Sequence, residues 1–193
     1  MSEDLLVVSF PAPADWEAWL ETEHATSSGV WLRIARKASG TPTVTYAEAV
    51  EVALCFGWID GQKGRGDEGA WLQRFTPRRA RSRWSVVNRT KALELIDADR
   101  MRPAGLREVE AARADGRWDA AYAGQATAEL PDDLRDAFVA AGLLEAFTAL
   151  KSSERYSILY RVLDAKRADT RGRRIAGFVE MLGRGETPHG LIP

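Results

Sequence analysis

Two hydrophobic periods divide this chain, and their segregation constrains the fold more than any other feature of it. In residues 29–36, Val30, Leu32 and Ile34 fall on one side and Trp31 and Arg33 on the other, the period-two pattern of a strand with one buried face. Residues 5–10 are apolar and β-branched and predict another strand. Residues 58–60 and 70–76 predict a strand pair across a glycine-rich connection at 61–69, stopped by Pro77, which has no N–H for a ladder. Two helices interleave with these strands. Trp16, Trp19 and Leu20 make the inner face of one over residues 15–24, and "TYAE" at 45–48 reads as a capping box for another that runs to a glycine cap at Gly57. From Ser85 onward the spacing becomes helical: residues 85–98, 106–114, 131–141, 143–150, 153–168 and 170–182, with Thr170 as the cap of the last. Strands first and helices after predict an α+β fold, a small antiparallel or mixed sheet in the N-terminal half packed against a helical C-terminal half. The halves divide as residues 1–122 and 123–193 of one compact unit, with the softest joint at 123–130.

Composition excludes several functional classes. A net charge of -1 over 193 residues with 45% hydrophobic content describes a chain with a full core and no bulk attraction for polyanions. The single cysteine, Cys55, rules out an intrachain disulfide, and with His24 and His189 it makes too few soft ligands for a structural zinc site, so no metal and no cofactor are expected. The longest apolar runs are strand-sized, and Glu3 and Asp4 stand where a signal peptide would carry basic residues, so the expectation is a cytoplasmic protein with no membrane partner. Oligomeric state is not legible in the chain.

Gly64, Gly66 and Gly69 satisfy G-x-G-x-x-G in form. A dinucleotide site needs that motif to open a helix, whereas strand-like "AWLQRF" follows here and Asp67 and Glu68 inside the loop repel phosphate. A hairpin loop is the reading that fits.

The run from Leu72 to Lys91 carries Arg74, Arg78, Arg79, Arg81, Arg83, Arg89 and Lys91 with no acid. Such a run is either a solvated face, a set of internal ion pairs, or a site for an anion. Ser82, Trp84, Ser85 and Asn88 interleave with the arginines at the start of a predicted helix, whose free amides favour negative charge. Arginine in place of lysine favours bidentate grip on carboxylate or phosphate. The expected cleft gathers Trp58, Asp60, Arg74, Arg78, Arg79, Trp84, Ser85 and Asn88, with Asp60 as the acid between the cations and the only candidate catalytic group. If the segment before the helix is extended, Arg79, Arg81 and Arg83 share one side and Arg78 turns the other way with Trp84. A second basic cluster at 165–174 adds Lys166, Arg171 and Arg174 as further ligand residues. The expected partner is a small anionic ligand. An acid–base enzyme using Asp60 with arginine stabilising negative charge, and a nucleic-acid surface along the basic run, are the alternatives.

The segments "GVWLRIARK", "ALCFGWIDGQ", "FTPRRARSRWSVVN", "MRPAGLREVEAARADGRWDAAY" and "AKRADTRGRRI" together resemble the YdeI/OmpD-associated, or bacteriocin-protection, family, from about Trp16 to Arg184. The resemblance implies a link to envelope stress or peptide resistance. It assigns no catalytic residue.

Overall fold

The computed structural model describes residues 5–124, 128–188 and 190–191; His189 and the middle of the 123–130 joint lie outside the described residues. Contacts divide the chain into two compact units, Met1–Ala121 and Tyr122–Pro193.

In the first unit, β1 (Leu6–Val8) and β2 (Val30–Ala35) pair in parallel across the helix α1 (Pro13–Glu23), because two parallel strands need a crossover between them. The helix α2 (Tyr46–Cys55) follows, and then β3 (Trp58–Gly64) and β4 (Ala70–Pro77) form an antiparallel hairpin whose second strand inserts beside β2. The resulting mixed sheet has the order β1-β2-β4-β3. The fold is α+β.

Local sequence explains where α2 begins and ends. The Thr45 Oγ1 accepts from the Glu48 amide at 3.3 Å, and the Glu48 carboxylate accepts from the Thr45 amide at 2.9 Å. That bond from the Thr45 amide, with a second from the Thr45 hydroxyl at 2.7 Å, holds the Glu48 carboxyl below its usual range. At the other end Gly57 takes the left-handed conformation, φ +73°, that closes such a helix. Val30, Leu32 and Ile34 on β2 face α1 and α2 and are fully buried together with Trp16, Leu20, Val52, Leu54, Trp58 and Phe75. The Trp16 indole N–H is satisfied by the Ala49 carbonyl at 3.2 Å, so this aromatic core carries its polar handle at no cost.

The hairpin departs from the pattern read in the sequence. The strand expected to stop at Asp60 continues to Gly64, with a register slip between Asp60 and Lys63 that leaves Gly61 and Gln62 as an irregular step. Glycine is required further along for steric reasons. A Cβ on Gly64 would come within 2.8 Å of the Trp31 ring, and one on Gly66 within 2.2 Å of the Ala70 carbonyl oxygen. Gly64 and Gly66 of the nucleotide-like motif are therefore where two strands and a tryptophan close on one another, whereas a Cβ on Gly69 would meet nothing nearer than 3.5 Å.

Helices α3 (Val86–Asp97) and α4 (Pro103–Ala114) complete the first unit; α4 begins a turn earlier than its hydrophobic spacing indicates because Pro103 is suited to a first helical position. The second unit contains α5 (Asp132–Ala140), α6 (Leu144–Ala149), α7 (Ser152–Leu163) and α8 (Ala168–Gly183), followed by a short hairpin of β5 (Glu186–Thr187) and β6 (Gly190–Leu191) that the sequence reading lacks. Its own core is built on Leu134, Phe138, Phe147, Ile158, Val162 and Phe178. Here α7 ends at Leu163, short of the expected 168, and α8 is capped at Arg167, so Thr170 lies inside its first turn beside Asp169.

Candidate functional site

Register decides which side chains of the hairpin can meet. Opposed residues in an antiparallel pair share a face, and successive residues alternate. Asp60 stands opposite Phe75, and Ile59 opposite Thr76, so Trp58, Asp60 and Phe75 project to the helix-packed side while Ile59, Arg74 and Thr76 project to the other. Trp58 is accordingly core: it is 1% exposed, and its indole N–H donates to the His24 carbonyl at 3.1 Å. Asp60 does not sit between arginines. Its Oδ2 accepts from the Tyr46 hydroxyl at 2.6 Å, and it enters no ion pair among the described residues. The expected arginine contact is absent because the ladder register sends Asp60 and Arg74 to opposite faces, although both residues border one cleft beside the slip in β3.

A cleft of about 280 Å³ opens beside the slip in β3. Arg74 and Arg79 line it with Gln62, Thr76 and Ser82, over apolar Ile59, and Asp60 borders it. Arg74 lies along the side of Gly61, where a Cβ would stand 3.6 Å from its own, and the Gln73 amide holds the Gly61 carbonyl at 2.7 Å so that the step keeps its shape. The Arg74 Nε is buried and meets no acceptor. Neither Arg74 nor Arg79 forms an ion pair among the described residues. Arg79 is exposed on a tight turn in which its amide donates to Ser82 Oγ at 2.9 Å and the Ser82 amide donates to its carbonyl at 2.8 Å. That turn, at Ala80 and Arg81, also means that the segment is not extended, so Arg79, Arg81 and Arg83 do not alternate along one side.

The other residues expected in the cleft do different work. Arg78 is 6% exposed; its guanidinium stacks 3.6 Å from the Trp84 ring and its Nη1 donates to the Arg83 carbonyl at 3.3 Å. Trp84 is 1% exposed and packs edgewise on Trp118, ring centres 4.9 Å apart. The Ser85 hydroxyl accepts from the Asn88 amide at 3.1 Å, which fills the amide position at the start of α3 with the chain's own cap. Further along, Arg89 donates to the Trp118 carbonyl at 3.1 Å, and Lys91 pairs with Glu94 at 2.8 Å and Glu51 at 3.1 Å. The basic run is thus not one surface.

In the second unit, Arg171 makes a bidentate pair with Asp133 at 2.6 and 2.7 Å and donates to the Val162 carbonyl at 3.0 Å. The Arg171 guanidinium holds the Asp133 carboxyl below the usual carboxylate range. Arg174 donates to the Arg161 carbonyl and lies 3.5 Å from the Asp164 carboxylate, while Lys166 is exposed. These arginines join α8 to α5 and to the end of α7. Gln62, Thr76 and Tyr46 were missed in the sequence, whereas Ser82 was legible among the arginines; the alternation of β4, which puts Thr76 beside Arg74, was the one signal available for the missed residues.

Residues 8–108, just over half of the chain, match the family model described as a domain of unknown function, DUF8412. The chain belongs to this family. Residues 127–185 match the family model described as bacteriocin-protection, YdeI or OmpD-associated, which establishes that likeness for the helical part. The "GWID" and "PRRARSRWS" segments fall within the DUF8412 match, so the cleft belongs to that part of the chain and the Arg171 cluster to the YdeI/OmpD-associated part. No curated protein and no solved structure matches the chain.

Proposed function

We propose that this protein is a cytoplasmic binding or sensing protein that holds a small anionic ligand, carboxylate or phosphate, between Arg74 and Arg79. One observation carries the reading: the Arg74 Nε is buried beside a cleft without an acceptor, whereas Arg171, Arg174, Lys91 and Arg33 all have carboxylate partners. A buried donor left unsatisfied costs about 1–3 kcal/mol, and an anion that draws the Arg74 guanidinium toward the cleft relieves that cost. Hydroxyls of Ser82 and Thr76 and the amide of Gln62 supply the neutral donors that complete recognition of a small oxyanion. The cytoplasm is proposed on composition alone.

The acid–base alternative is weaker, because the Asp60 carboxylate takes its hydrogen bond from Tyr46 on the face opposite Arg74. The nucleic-acid alternative is weaker too. Of the seven cations only Arg79 and Arg81 are exposed, enough for a salt slope of about -2 on duplex DNA, where seven phosphate contacts would give about -6. Capture of a cationic defence peptide by this cleft is disfavoured by the sign of its charge, so any link to peptide resistance runs through the anion.

Calorimetric titration with inorganic phosphate and a set of small phosphate monoesters and dicarboxylates tests the reading. Binding should be lost in Arg74→Ala and kept in Arg171→Ala. If no anion binds, or if Arg74→Ala binds as well as the parent chain, the reading is wrong.

A further inference from the structure

We infer that Arg117 is a positioning residue for the anion cleft, holding in place the turn that carries Arg79 and Ser82 without itself facing the ligand. The inference rests on the cleft reading above and adds to it the device that shapes the site. Arg117 lies outside the cleft lining, with its side chain 17% exposed. Its Nε donates to both Asp115 oxygens at 2.7 and 2.9 Å, which fixes the plane of the guanidinium, and its Nη1 donates to the Ser82 carbonyl at 2.8 Å.

Ser82 is the residue through which that hold reaches the ligand side. Its hydroxyl accepts from the Arg79 amide and its own amide donates to the Arg79 carbonyl, so fixing the Ser82 backbone fixes the base of the Arg79 side chain. The next carbonyl, that of Arg83, is taken by Arg78 from its stack on Trp84. Two successive carbonyls are thereby grasped from behind by two arginines, while the front of the turn presents Arg79 and Ser82 to the cleft. An exposed arginine on a loose turn would lose conformational freedom on binding; on a held turn that loss is already met, which is the advantage of preorganisation. Electrostatics alone gives Arg117 little pull on an anion, because the Asp115 carboxylate neutralises it at contact distance.

Two measurements on the full chain test this. Amide hydrogen exchange at Arg79 and Ser82, read without ligand, reports the turn; calorimetric titration with inorganic phosphate reports the cleft. Arg117→Ala should speed exchange at both amides and weaken phosphate binding about tenfold, the worth of one charge-assisted hydrogen bond. Arg117→Lys keeps the charge, but a single ammonium cannot span Asp115 and the Ser82 carbonyl together, so it should bind nearly as weakly as the alanine variant; it also serves if the alanine variant fails to fold. Arg113→Ala removes the neighbouring cation that lies 5.1 Å from the Trp118 ring and should change neither readout. Unchanged exchange in Arg117→Ala, or an Arg117→Lys that binds phosphate as tightly as the parent, overturns the inference. A parent chain that binds no phosphate sinks the cleft reading instead.

Discussion

Asp60→Asn separates two accounts of the same residue by the size of its effect. If Asp60 neutralised buried arginines, removing its charge would strand them and cost about 3–5 kcal/mol. The structure gives a different sum. Asp60 is half-buried, its partner Tyr46 is 43% exposed, and the contact between them is one hydroxyl-to-carboxylate hydrogen bond of 2.6 Å. Solvent screens such a pair, and the asparagine carbonyl can still accept from Tyr46, so the expected loss is about 0.5–1 kcal/mol. For a domain of this size that corresponds to a melting midpoint lower by roughly 2–5 °C. The same substitution removes a negative charge from the border of the cleft. Phosphate affinity should therefore rise, by about two- to threefold at low salt. Thermal and urea unfolding measure the first effect and titration the second. A loss of about 3 kcal/mol or more together with weakened phosphate binding would refute the reasoning, since it would require Asp60 to be organising the arginines after all.

Further predictions follow from contacts away from the cleft. We predict that Gly105→Ala destabilises the first unit by about 2 kcal/mol despite alanine's better helix propensity, because the new Cβ would lie 2.3 Å from the Cys55 carbonyl oxygen and force α4 off α2, where the Arg102 amide is bonded to that same oxygen; an unchanged urea midpoint would show that α4 can move freely. Asp133, held low chiefly by its hydrogen bonds from Arg171, contributes stability that is complete above the ordinary carboxylate range and lost as the pH falls through its lowered value; Arg171→Ala should flatten this acid limb when melting midpoints are followed between about pH 2 and 5, and an identical limb would show the pair to be idle. Burial pushes the Cys55 thiol up to about 11, so a thiol reagent at pH 8 should label it only at the rate of unfolding; prompt labelling of the native chain would contradict the packing.

What could be read from the chain and what could not differ in range. The Thr45 capping box, the Gly57 cap and the alternation of β2 were legible because each is settled within a few residues by its own hydrogen bonds or its own pleat. The stack of Arg78 on Trp84 agrees with the expectation that those two turn to the same side, although the segment between them is a turn and not the extended run assumed. The continuation of β3 to Gly64 was hidden because glycine composition signals a loop, while the ladder that overrides it comes from a partner strand. The site was misjudged in the same way. Tryptophans and arginines next to one another in sequence look like one constellation, but a strand sends its neighbours to opposite faces, and one face here is the core. Trp58 and Trp84 were taken inward by burial worth about 2–3 kcal/mol or more each, Arg78 followed Trp84, and Ser85 was used to cap α3. Arg74 and Arg79 were left for the cleft because nothing inside the described chain competes for them. On the proposed reading, a basic run marks an anion site only through the members that line a cleft, and it is the place of Arg74 in that lining that sets it apart from Arg78, which is spent on Trp84 and the Arg83 carbonyl.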